Sequence, residues 1–213
     1  MKKYLVLLLV VLVCVVALGV FGCAQQGTEV LTAQTQNYFP HEDGYSWNYN
    51  WTSNLVSTNE TSVINDVKKC SFNGEFIFPD GRVAQVMLIS REASVNEIGY
   101  CRVEDDGVYF YGDVTSTTIE SILVLPLPLE TGKTWQRGMW GTLEVYGFET
   151  VTVPLGTFEA VKVGLTQGDF SFYEWYADGV GLLKSFMEVP FRSSTGDELG
   201  TMIITEELVN KNF

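Results

Sequence analysis

From Tyr45 onward the chain is written in short strand-forming runs, several of them alternating apolar and polar residues and many separated by turns with glycine or proline. That period of two commits it to β-strands. The run Tyr45-Ser46-Trp47-Asn48-Tyr49-Asn50-Trp51 sets four rings on one strand face. Similar runs occupy 61–67, 74–78, 83–91, 98–103 and 108–111, then 133–137, 141–153, 158–167, 170–177, 181–189 and 199–209. The Thr-rich stretch 115–124 also reads as strand. Pro79-Asp80-Gly81, Pro154-Leu155-Gly156 and Asp178-Gly179 supply tight turns. The last of these joins Tyr173-Glu174-Trp175-Tyr176 to the apolar run at Leu182, a hairpin expected near the sheet centre. Strands at this spacing, with few windows of helical period, predict an all-β protein. The expected form is a curved antiparallel sheet or half-open barrel spanning 38–213.

Pro126-Leu127-Pro128 breaks regular pairing and divides the domain into candidate halves 38–125 and 126–213. Three signatures recur in the same order on the two sides. Pro40-x-x-x-Gly44-x-x-Trp47 matches Pro128-x-x-x-Gly132-x-x-Trp135. Pro79-x-Gly81 matches Pro154-x-Gly156, and Asp106-Gly107-Val108 matches Asp178-Gly179-Val180. Shared order predicts two pseudo-repeated halves with similar strand sets.

The N-terminus is of another kind. Lys2-Lys3, an uncharged apolar stretch over 4–20, and Gly22 before Cys23 have the layout of a secretory signal helix over 1–22. The apolar stretch is short for a membrane span, and an uncleaved anchor is the competing expectation. Val20-Phe21-Gly22-Cys23 resembles the bacterial lipobox, which implies lipid attachment at Cys23 and membrane association through that lipid. An ordinary thiol beside a plain cleavage site, in a secreted protein, is the other reading. Residues 23–37 are a flexible tether.

Charge and cysteine content narrow the function classes. The whole chain carries −13, and without Lys2 and Lys3 the exported part carries −15. A surface so acidic repels phosphate backbones, so nucleic acid is excluded as a partner. With Cys14 inside the signal and Cys23 at its end, Cys70 and Cys101 remain. They form either a candidate disulfide or two buried thiols on neighbouring strands.

Catalytic chemistry is sparse. His41 is the one histidine and sits in a turn beside Glu42 and Asp43. No nucleophile elbow, metalloprotease helix or phosphate-cradling loop occurs, and neither a metal nor a cofactor is expected. Glu104-Asp105-Asp106, Asp197-Glu198 and Glu206-Glu207 read as hydrated acidic turns. Aromatic residues are the stronger signal. Tyr45, Trp47, Tyr49, Trp51, Trp135, Trp140 and Trp175 are the candidates for lining a pocket, with burial in the core as the alternative.

Y-F-P-x-x-x-G-Y-x-W-x-Y at 38–49, V-P-L-G-T-F-E-A-V-K-V at 153–163 and Y-A-D-G-V-G-L-L-K at 176–184 resemble a broad family of secreted or lipid-anchored bacterial proteins of unknown function. The resemblance implies a curved antiparallel sheet, distantly similar to periplasmic lipoprotein carriers, and brings no catalytic residues. Two roles follow as expectations. One is a non-catalytic envelope protein that holds an apolar or flat ligand, for which a ring-lined cavity of roughly 300 Å³ or more would be the mark. The other is an assembly role through contacts with an envelope protein at an exposed strand edge.

Overall fold

The computed structural model describes residues 36–57, 60–92, 97–111, 120–192 and 198–213. The signal segment, Cys14, Cys23, nearly all of the tether, Asp197 and most of the strand expected from 115 lie outside the described residues. Twelve strands are present: β1 (Ser46–Ser57), β2 (Thr61–Ile77), β3 (Val83–Arg91), β4 (Glu97–Glu104), β5 (Gly107–Tyr111) and β6 (Ser121–Pro126), then β7 (Thr134–Gln136), β8 (Thr142–Val153), β9 (Gly156–Gln167), β10 (Phe170–Ala177), β11 (Gly181–Arg192) and β12 (Glu198–Lys211). Among the described residues the helical content is one 3₁₀ turn, Gly138–Trp140. The runs at 83–91 and 170–177 coincide with β3 and β10. Two expected strands, 61–67 and 74–78, are instead one. Gly74 at φ +78° absorbs a bulge between Phe72 and Glu75, and β2 continues through it.

All neighbours are antiparallel, in the order β6-β5-β4-β3-β2-β1-β12-β11-β10-β9-β8-β7. The first and last strands therefore meet in the middle, and the edges β6 and β7 are consecutive in the chain. The sheet curls until both edges share one core. Val108 and Leu125 from one side pack in a cluster with Trp135, Leu143 and Val145 from the other. The result is a nearly closed barrel with a seam between β6 and β7. Val161 and Val163 are fully buried on its inner face. Each such side chain contributes roughly 1.5–3 kcal/mol relative to exposure.

The three recurrent signatures fall at equivalent junctions of the two six-strand runs. They lie before the first strand, between the second and third, and between the fourth and fifth. The first pair shares its hydrogen bonds as well. Gly44 N donates to Phe72 O (3.0 Å) and Phe72 N to Tyr45 O (2.9 Å), while Gly132 N donates to Val145 O (2.8 Å) and Val145 N to Lys133 O (2.9 Å). Gly44 and Gly132 take φ of +84° and +83°, a left-handed turn that glycine adopts without strain. Each turn delivers a buried tryptophan, Trp47 or Trp135, as the second residue of its strand.

Four strands outrun their neighbours at one end. Pairing of β2 with β3 stops at Lys68↔Arg91, and pairing of β11 with β10 stops at Ser171↔Glu188. Beyond those points β2, β1, β12 and β11 continue as a four-stranded tongue made of residues 61–67, 52–57, 199–205 and 189–192. Only Ser53 is buried there. The segment 36–45 sits at the other end of the strands, where Tyr38 and Pro40 are buried and Asn37 O accepts from Gly179 N in the β10–β11 turn.

Candidate functional site

Residues opposite each other in an antiparallel register share a sheet face, so the inner surface can be read row by row. One row crosses four strands as Glu174, Ser185, Glu206 and Trp51. The row toward the 36–45 end contains Tyr176 opposite Leu182, and Tyr49 opposite both Leu208 and Lys68. The row toward the tongue contains Phe172, Met187, Ile204, Ser53 and Ile64. A charged belt thus lies between two largely apolar rows.

Cations from elsewhere in the fold complete the belt. Lys68 Nζ donates to both oxygens of Glu206 at 2.8 and 2.9 Å. Arg137 leaves the end of β7 and forks onto Glu174, with Nη1 on Oε2 and Nη2 on Oε1. Tyr176 donates its hydroxyl to Glu174 Oε2 at 2.9 Å, and Arg137 lies over the Phe172 ring at 5.3 Å. Burial pulls the Lys68 and Arg137 protonation equilibria down, but the facing carboxylates outweigh it and hold both above their ordinary values. Burial also pushes the Tyr49 and Tyr176 phenols well up, so both stay neutral hydrogen-bonding groups.

Between the belt and the 36–45 segment lies a cavity of about 190 Å³. Phe39, Trp47, Phe72, Met87 and Leu182 form its apolar wall, and Lys68, Arg137 and Glu174 its polar one. Trp47 Nε1 donates to Val180 O (2.7 Å) and Tyr49 Oη to Leu182 O (3.0 Å), which fixes both rings. The volume is below the roughly 300 Å³ of a drug-sized pocket, yet comparable to the ~150 Å³ that admits benzene in an apolar core. Each of the two carboxylates is held by a buried cation, Glu206 by Lys68 and Glu174 by Arg137.

The structure brings together two of the seven predicted lining residues, Trp47 and Tyr49. Tyr45 stacks on Phe213 at 4.1 Å instead, and Trp51 lies under Arg91 at 5.1 Å. Trp135 is buried in the seam core. Trp140 stacks on Phe172 at 5.3 Å. Trp175 faces the opposite side of the sheet, since its neighbours Glu174 and Tyr176 point inward. Its Nε1 donates to Glu149, and Lys162 lies 5.3 Å from its ring. Sequence reasoning missed Lys68, Arg137 and Glu174. Glu174 could have been found, as a lone acid on the inward side of an aromatic strand.

Cys70 and Cys101 are free thiols, not a disulfide. They sit on β2 and β4 with β3 between them, Cys70 opposite Ile89 and Cys101 opposite Gln85. Two inter-strand spacings, roughly 9–10 Å, exceed the reach of an S–S bridge, and the thiols are not on neighbouring strands either. Burial pushes Cys70 up to about 11 and Cys101 to about 12, so neither is a nucleophile at neutral pH. His41 Nδ1 lies 3.0 Å from Phe39 O, and no group of three metal-binding side chains occurs among the described residues. Glu104 ends β4, and Asp105-Asp106 form its turn into β5.

No family model matches the chain, and no curated protein matches it. Among solved structures it is similar to a protein of Bacteroides fragilis NCTC 9343 that is provisionally described as exported and that has a YmcC-like fold. The match has 15% identity, covers 84% of this chain and 100% of the other, and has a TM-score of 0.46. A likeness this loose transfers no role to this chain.

Proposed function

We propose that the chain is exported, anchored to the cell envelope through a lipid on Cys23, and binds a small amphiphilic molecule in the cavity of its curled sheet without chemistry. The observation that carries this reading is the cavity itself, with aromatic rings on one side and a charge-balanced belt on the other. An apolar group of about benzene size fits inside. A polar group of the same ligand would meet Lys68, Arg137 and the two phenols. Because each buried cation already has its carboxylate, a neutral or zwitterionic head suits the belt better than a net charge.

Native mass spectrometry of the chain purified from its own cells should show a retained small molecule. Leu182→Trp, which fills the cavity from a wall position, should lose that extra mass while keeping its melting temperature within a few degrees. A bare protein mass at every activation energy would overturn the binding role. Anchoring is tested separately. Cys23→Ala should move the chain out of the membrane fraction and remove the mass of a lipid, and an unchanged fraction with no mass lost would refute the anchor.

A further inference from the structure

We propose that a groove between the β8–β9 hairpin and residues 36–38 binds a primary alkylammonium ion. The groove measures about 490 Å³, within the range of small-molecule sites, and shares no lining residue with the enclosed cavity. Tyr38, Phe148, Phe158, Glu159 and Asp178 line it, and no lysine or arginine does.

A buried hydroxyl without a partner opens into this groove. Tyr38 is only 4% exposed and its ring packs in the seam core, yet its hydroxyl has no hydrogen-bond partner among the described residues. A buried phenol ordinarily finds one. Trp135 Nε1 is also unpaired but fully enclosed, whereas the Tyr38 hydroxyl keeps contact with open space, and the space beside it is the groove. Burial, with Asp178 and Glu159 nearby, raises the phenol's pKa, so the group stays neutral and its oxygen remains an acceptor.

Charge and ring surface are uncompensated at the same place. Asp178 Oδ1 accepts from Asn37 N at 2.6 Å, which fixes the carboxylate at the rim and leaves Oδ2 without a donor among the described residues. Glu159 is exposed and has neither an ion pair nor a hydrogen bond among them. Phe148 is 49% exposed although it lies opposite the fully buried Val161, and Phe158 directly precedes Glu159. A ligand that meets all of this needs N–H donors, positive charge and an apolar stem. A primary ammonium offers three donors to the phenol oxygen and the carboxylates, while its charge and alkyl stem lie against the rings. A quaternary ammonium lacks the donors, and an anion would face two carboxylates.

The test uses the full chain, purified in detergent from its own cells, and titration calorimetry with n-butylammonium, butyltrimethylammonium and butyrate as probes. Butylammonium should bind at least about tenfold tighter than the trimethyl compound, and butyrate should give no heat. Tyr38→Phe keeps the ring in its core and should weaken butylammonium about tenfold with the melting temperature unchanged. Glu159→Gln should weaken it to a similar degree. Glu60→Gln removes the same charge at the tip of the tongue, the other end of the strands, and should change the affinity by less than about twofold. No heat from butylammonium up to ~10 mM, equal affinity for the primary and quaternary ions, or equal losses from Glu60→Gln and Glu159→Gln would each overturn the proposal. Leu182→Trp, which fills the enclosed cavity, should leave the amine affinity as it is. A loss there would place the amine in the cavity and overturn the groove, so this proposal and the cavity reading fail separately.

Discussion

Replacing Arg137 with methionine should destabilise the fold by about 3–5 kcal/mol, seen as a urea midpoint lower by roughly 1 M or more. The guanidinium satisfies both oxygens of Glu174, and the two side chains are only 15 and 9% exposed. Without it a buried carboxylate keeps one donor, the Tyr176 hydroxyl. The double change Arg137→Met with Glu174→Gln should recover most of the stability. An amide still accepts from Tyr176, and no charge is left unpaired. If the single variant were as stable as the parent, the belt would be exposed to water and the polar wall of the cavity would be in question. The Lys68–Glu206 pair, 19 and 12% exposed, should respond in the same direction with a smaller amplitude.

Gly164→Ala should cost about 4 kcal/mol or more, or prevent folding altogether. Gly164 faces Glu144 on β8 and Tyr173 on β10, so strands flank it on both sides. A Cβ there would come within 2.1 Å of Phe172 O and 2.9 Å of Tyr173 Cα. Both are backbone atoms of β10 and can yield only if β9 and β10 separate. Gly99→Ala is the matched control. Its added carbon meets the flexible Met87 Cε at 3.4 Å, and the cost should stay below about 1 kcal/mol. Thermal melts of the two proteins side by side decide the matter, and similar midpoints would mean that the β9–β10 spacing is wider than described.

The strands were legible because alternation and turn chemistry are local. Val83-to-Arg91 and Phe170-to-Ala177 are short apolar and aromatic runs, each entered two residues after a turn glycine, Gly81 and Gly168. Pro126, read as a break in regular pairing, ends β6, an edge strand, where a residue without an N–H leaves no pairing unmade. The merging of two runs into β2 was not legible, because Gly74 reads as a stop and bulge geometry depends on the partner strand. The site was harder to see. Tyr45, Trp47, Tyr49 and Trp51 do share a face, but which part of that face encloses space depends on where the curl of twelve strands closes. Arg137 joins Glu174 across two intervening strands, and no spacing in the chain announces that meeting.

The adjacency of β1 and β12 has a consequence for how the protein is made. Ser46 O accepts from Asn212 N, and Trp47 lies opposite Lys211, so the middle of the sheet joins the first strand of the domain to its last. At ~5–20 residues per second, roughly 8–30 s of synthesis separate the two. Until then Tyr49 and Trp51 lack the wall that finally covers them. The central pairing of the sheet is thus among the last that synthesis makes possible.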